Sequence, residues 1–188
     1  MRKLVSLMHV SLDGFVAGPN GEMNWIQISE DIFDIAGELT SQSDTALYGR
    51  VTYDMMDTYW PTAADHPNPS KHDIEHSTWY KQVDKVVVST TLAGDASSKR
   101  TVISDNVDCG IKHLKEQDGS NILLLGSPSV TRILIAADLI DEAWWLINPI
   151  LLGQGIKMFP DLQAPKNLEF ISSELRDPGV VVLRWLRK

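Results

Sequence analysis

Residues 122–155 read ILLLGSPSVTRILIAADLIDEAWWLINPILLGQG, and this stretch decides the fold. An apolar run, Ile122 to Leu125, stops at Gly126-Ser127-Pro128. A short continuous apolar run bounded by a turn signal reads as a strand covered on both faces. Val130, Ile133, Leu134 and Ala137 then make one helical face, with Ser127 placed as N-cap and Pro128 at the first helical position. A second apolar run, Ala143–Leu152, follows. A strand that breaks at glycine and opens a helix leaves first-turn N–H groups without partners. Those groups and the helix dipole favour a bound anion, such as a nucleotide phosphate.

The same alternation recurs outward from this stretch. Leu4–Val10, Thr45–Tyr48 and Lys85–Ser89 are strand-like. Ile28, Ile32, Ile35, Ala36 and Leu39 mark one face of a helix from Ser29 to Ser41, and Ser29 followed by Glu30 and Asp31 suits its N-terminus. Thr52–Thr58 and Cys109–Gln117 are shorter helical candidates. Leu168–Leu175 and Val180–Leu186 read as an antiparallel hairpin, with Pro178-Gly179 at the centre of a type II turn. Residues 60–80 are polar, hold three prolines and read as a long surface loop. The expected architecture is one α/β domain over residues 1–188. Its sheet is mixed and mostly parallel, flanked by helices, and ends in the C-terminal antiparallel hairpin.

Bulk properties exclude several classes. The 188 residues suffice for one sizeable core. A net charge of −8 argues against nucleic-acid or anionic-membrane binding. The single cysteine, Cys109, rules out an internal disulfide and a cysteine-rich zinc site, and fits a cytoplasmic setting. The N-terminus starts basic and apolar, but His9 and Asp13 interrupt it and it reads better as a strand than as a signal peptide. No apolar run reaches the ~18 residues that span a membrane.

Chemistry gathers at three strand-to-turn junctions. The first is Tyr48-Gly49-Arg50-Val51-Thr52, where Gly49 permits close backbone approach, Arg50 offers a fork for phosphate and Thr52 a hydroxyl. The second is Ser89-Thr90-Thr91, and the third is Gly126-Ser127-Pro128-Ser129. In an open α/β sheet, ligands bind outside the C-terminal strand ends, where three such junctions can converge on one phosphorylated ligand. Neither GxGxxG nor the Walker A pattern is present.

The order of these motifs resembles a known family. Ser11-Leu12-Asp13-Gly14-Phe15-Val16-Ala17 follows the first strand. Then come Asn20-Gly21, Trp25, Glu30-Asp31, the three junctions, and Asn148-Pro149-Ile150-Leu151-Leu152-Gly153-Gln154-Gly155. The chain resembles the dihydrofolate reductase fold, and more closely the branch containing the reductase domain of bacterial riboflavin synthesis. The resemblance implies an NADPH-dependent reductase acting on a small-molecule substrate. It puts Gly49, Arg50, Val51 and Thr52 at the NADPH phosphates, Ser89, Thr90 and Thr91 near the adenosine 2′-phosphate, and Ala17 against the nicotinamide. Gly126, Ser127, Pro128, Ser129 and Val130 would cradle the pyrophosphate. Trp25, Asp31 and Gly153 fall on the substrate side. Relatives in this branch are commonly homodimers.

Three departures stand out. Ser127 replaces the second of a glycine pair found in dihydrofolate reductases. The helix EDIFDIAGELTSQS holds no Arg, Lys or His, where riboflavin reductases carry basic residues for a phosphoribosyl substrate. The zinc deaminase often fused to that reductase is absent, since one cysteine cannot build its site. The nearest activity is the pyrimidine reductase of riboflavin synthesis, followed by a pterin or folate reductase. A nucleotide-binding module without turnover would use the same phosphate sites. Asp31 reads either as a general acid or as helix N-terminal charge, and Asp13 as a turn residue. Trp144 and Trp145 face opposite sides of a strand, one into the core and one toward an interface. His66, His72 and His76 lie in the proline-rich segment, and no metal site is expected there.

Overall fold

The computed structural model describes residues 1–93, 99–160 and 162–188. Continuous apolar runs form its central strands: β1 (Leu4–Ser11), β3 (Ser43–Gly49), β4 (Asp84–Val88), β6 (Asn121–Leu125) and β7 (Glu142–Asn148). Shorter strands are β2 (Phe15–Ala17), β5 (Arg100–Ile103) and β8 (Ile156–Lys157), and the C-terminal hairpin is β9 (Leu168–Arg176) with β10 (Val180–Arg187). The helices are α1 (Glu30–Ser41), α2 (Arg50–Tyr59), α3 (Lys71–Gln82), α4 (Val107–Glu116) and α5 (Pro128–Ala136).

Eight strands form one sheet in the order β5-β4-β3-β6-β1-β7-β10-β9. The six from β5 to β7 are parallel, while β10 runs antiparallel to β7 and to β9. β2 and β8 form a separate antiparallel ribbon. Helices cover both faces, as a largely parallel sheet requires. On one face Ile32, Ile35 and Leu39 of α1, Tyr53 of α2 and Tyr80 of α3 pack on Val5, Leu7, Tyr48 and Leu123. On the other, Ile111 of α4 and Val130 and Leu134 of α5 pack on Leu4, Leu47, Ile122 and Leu124. Trp144 is buried in the first cluster, while Trp145 packs half-buried on the opposite side against Phe159 and Trp185. Among the described residues, no helix is long and apolar enough to cross a membrane.

Four expectations need correction. Residues 60–80 are not a loop: a 3-10 turn spans Trp60–Asp65 and α3 spans Lys71–Gln82. The prolines all precede α3, whose start is fixed by a capping box between Ser70 and Asp73. The strand expected over Ala143–Leu152 ends at Asn148, because Pro149 lacks the N–H that would extend the ladder. The hairpin turn is not type II. Gly179 N–H donates to Arg176 C=O (2.7 Å), so Pro178 lies one place later than expected, and its peptide bond to Asp177 is cis. Ser127 holds the N-cap position of α5, but its side chain makes no capping bond.

The histidines of α3 join an aromatic cluster against α1. Phe33 stacks on His72 with ring centroids 4.0 Å apart, and His76 lies 3.9 Å from Trp60 and 5.1 Å from Trp79. Among the described residues, no group of three His, Cys, Asp or Glu could hold a metal. Burial holds His76 neutral, with its pKa lowered from 6.5 to about 3. The unfolded chain therefore takes up this proton first as pH falls. Stability is intact above pH 6.5 and is lost progressively toward pH 3. At pH 5 the loss from this residue is about 2 kcal/mol. Chemical denaturation of His76→Phe at pH 8 and pH 5 should show a drop smaller than wild type by that amount. An equal drop in both proteins would remove His76 as an acid-sensitive element.

Candidate active site

The parallel arrangement brings the C-terminal ends of β4, β3, β6, β1 and β7 into one row. The first and third junctions meet there. Gly49 N–H donates to Ser127 Oγ at 2.7 Å, and Gly126 N–H donates to Leu7 C=O at 2.9 Å. A methyl group at Gly49 would sit 3.2 Å from Val130 Cγ2, and one at Gly126 would sit 3.6 Å from Thr52 Cγ2. Gly49, Thr52, Gly126, Ser127 and Val130 therefore share one small volume.

The helices that open here differ from α1 and α3 at their N-termini. α1 and α3 are capped by Ser29 and Ser70, whose hydroxyls accept from Ile32 N–H and Asp73 N–H. α2 and α5, which open from the two meeting junctions, have no side-chain cap and no acidic residue in the first turn. The first-turn N–H groups of Arg50, Val51 and Thr52, and of Ser129 and Val130, thus keep their positive potential. Pro128 has no N–H to offer.

The other predicted nucleotide residues sit farther out. The Arg50 side chain is exposed and pairs with Asp54 at 2.7 Å, and Val51 is 63% exposed. Ser89 is buried at the end of β4, where its hydroxyl accepts from Leu92 N–H (3.0 Å) and Thr91 N–H (3.2 Å). Thr90, Thr91 and Ser129 are exposed.

Beyond β1 the segments after β1 and β7 are tied together. Asp13 accepts from Gly153 N–H (2.7 Å), Leu152 N–H (3.1 Å) and Ser11 Oγ (2.6 Å). The Ser11 hydroxyl and these amides lower the Asp13 pKa to about 2. Ala17 is buried in β2, and Gly155 lies against its carbonyl, where a methyl group would approach to 2.2 Å. Trp25 is buried, with its indole N–H donating to Glu22 C=O at 3.0 Å. Asp31 is exposed on the first turn of α1, where Oδ2 lies 3.5 Å from Asp177 N–H.

A model of the RibD C-terminal domain family matches residues 2–182. The chain belongs to the RibD C-terminal domain family. The uncharacterized protein YyaP of Bacillus subtilis (strain 168) is 31% identical over 187 residues, covering 98% of this chain and 95% of YyaP. YwjB of the same organism, also uncharacterized, is 27% identical over 164 residues, covering 86% of this chain and 84% of YwjB. A putative riboflavin biosynthesis protein from Shewanella sp. PV-4 superposes with a TM-score of 0.74 at 23% identity, covering 99% of each chain. RibD of Acinetobacter baumannii gives 0.71 at 17% identity, covering 100% of this chain and 58% of that one. The last two likenesses are ones of fold.

Two polar residues of this RibD C-terminal domain carry no site role in the sequence reading, where His9 only interrupts an apolar run and Asn148 only opens the last motif. Asn148 is fully buried at the end of β7. Its Oδ1 accepts from Gln27 N–H at 2.8 Å, its Nδ2 donates to Leu146 C=O at 3.0 Å, and the same Nδ2 lies 3.4 Å from His9 Nδ1. His9 and Ser11 alternate with Met8 and Val10 along β1, and Ser11 pairs with Asn148. By that alternation His9, Ser11 and Asn148 share the face that carries α1. Burial lowers the His9 pKa to about 4, so its imidazole is neutral at pH 7. The available signal was polar side chains at strand positions where the pattern demands apolar ones.

Asp13 thus fastens the 150–155 segment of the domain to β1. In Asp13→Ala, hydrogen exchange at Leu152 and Gly153 should accelerate by roughly tenfold or more, while amides of β6 keep their protection. Unchanged exchange at both amides would show that other contacts hold the segment.

Proposed function

We propose that this domain is an NADPH-dependent reductase of a small heterocyclic substrate. The observation that supports it most is the meeting of two uncapped, acid-free helix N-termini, α2 and α5, at adjacent strand ends. The residues present fit a dinucleotide. Gly49 and Gly126 let the two turns pack against Val130, Ser127 and Thr52, and the first-turn amides of α2 and α5 would hold the pyrophosphate. Thr52 would add a hydroxyl, Arg50 and the Ser89–Thr91 turn would face the adenosine phosphate, and Ala17 would border the nicotinamide. NADPH supplies the hydride, and the protein supplies position and electrostatics. On the substrate side, Trp25, Gly153 and α1 would wall the acceptor. His9, neutral at pH 7, and Asn148 would order its polar edge, and Asp31 would deliver the proton that accompanies reduction.

By resemblance the nearest substrate is the aminouracil of riboflavin synthesis. A specific observation favours a second reading, a heterocycle without phosphate such as a pterin. α1 carries Glu30, Asp31, Asp34 and Glu38 and no basic residue, so it offers nothing to a phosphoribosyl group.

Thermal melts test the cofactor. At a concentration 100 times its dissociation constant NADPH should stabilise the fold by ~2.7 kcal/mol, and at equal concentration it should do so more than NADH. The absence of any shift with either nucleotide rejects the proposal. NADPH oxidation across a panel of pterins and pyrimidines then separates turnover from mere binding. Once an acceptor is found, Asp31→Asn should lower kcat by about 10²-fold or more while leaving NADPH affinity unchanged. An unaltered kcat would leave Asp31 as helix N-terminal charge alone. Arg50→Ala should weaken NADPH more than NADH, and equal losses would remove Arg50 from the 2′-phosphate.

A further inference from the structure

We propose that Ser127 is a positioning residue for the nucleotide pyrophosphate. Its hydroxyl bridges the β3–α2 and β6–α5 turns and leaves the α5 N-terminus open to the ligand. This inference rests on the nucleotide reading of the cleft given above.

A serine at an N-cap ordinarily accepts from the second or third amide of its own helix. Ser29 and Ser70 do so at α1 and α3. Ser127 does not. Its Oγ accepts from Gly49 N–H at 2.7 Å, on the neighbouring turn, and donates to Leu125 C=O at 3.3 Å. The side chain is buried, so water does not compete for these bonds. Gly126 and Ser127 both have φ of +56°, the left-handed region where glycine is least costly. The backbone thus favours glycine at position 127, and the side chain is what a serine adds there.

That side chain does two things at once. It satisfies Gly49 N–H at the point where β3 ends, and it fixes the separation of the two turns whose helices converge. It also spares the amides of Ser129 and Val130, one of which a capping serine would consume. Ser127 therefore acts through the spacing and the openness of the two helix N-termini, without its hydroxyl touching the ligand. Loss of the bridge should reduce affinity for any ligand that engages both turns. A ligand that reaches only the adenosine end should not respond.

The test compares wild type, Ser127→Gly and Ser127→Ala. The glycine variant keeps the left-handed backbone free of strain, and the alanine variant keeps the Cβ atom. Melting temperature confirms folding in each. NADPH and NADH are titrated by fluorescence, and adenosine 2′-monophosphate, which lacks the pyrophosphate, by calorimetry. Both variants should weaken NADPH and NADH by the same factor, about tenfold for one hydrogen bond with its geometry, and bind the monophosphate as wild type does. NADPH affinity within twofold of wild type in the glycine variant would overturn the inference alone. Equal weakening of the monophosphate would assign Ser127 to general structure and overturn it as well. Wild type that binds no nucleotide would reject the cofactor reading itself, and this inference with it.

Discussion

The ends of β3 and β6 approach so closely that a methyl group at Gly49 would meet Val130 at 3.2 Å and Ser127 at 3.6 Å. Much of the cleft follows from this contact. It seats α5 against the sheet, where Val130 and Leu134 complete the core that Leu47 and Leu124 begin. It also brings the N-terminus of α5 beside that of α2, so their dipoles act on one volume. Packing and electrostatics are therefore one constraint here. The β3–β6 ladder and the apolar face of α5 set the approach, and where it ends fixes the positions of the two helix N-termini.

The central strands were legible in the sequence because a parallel strand buried on both faces must be a continuous apolar run. α1 was legible from its cap and its apolar period. α3 was not, because its buried face is His72, His76, Ser77 and Tyr80, which a hydrophobic pattern does not register. Its burial comes from aromatic packing on Trp60 and Phe33, a tertiary fact. The β2–β8 ribbon was hidden for a related reason. Strands of three and two residues have no period of their own, and they exist because Asp13 and Gly155 bring distant segments together.

The side proposed for the nucleotide was more legible than the side proposed for the substrate. Glycine and hydroxyl residues at strand ends announce themselves, and Gly49, Thr52, Gly126, Ser127 and Val130 do meet. What the sequence could not disclose was the direction of the Ser127 hydroxyl, since a serine before Pro128 suits an N-cap in either case. His9 lies inside β1, where it reads as an interruption of an apolar pattern, and Asn148 ends β7, where it reads as the start of a motif. Their partnership depends on the register of β1 against β7, which no local spacing encodes.

The charge arrangement resolves an apparent conflict in the chain. A protein of net charge −8 is an unlikely host for a polyanion if side-chain cations must do the work. Here they do not have to. Arg50, the arginine of the first junction, is exposed and paired with Asp54, so its charge is partly spent. On the proposed reading the neutral amides of two helix ends supply the potential in its place, and it falls off within a turn. Besides Asp54 on α2, a group of acids lies on α1, with Glu30 and Asp31 at its N-terminus. On the proposed reading the cleft has an end that takes phosphate through backbone amides and an end that offers carboxylates. On that division, the part of an acceptor beside α1 is favoured when it can give hydrogen bonds or carry positive charge, and disfavoured when it carries phosphate.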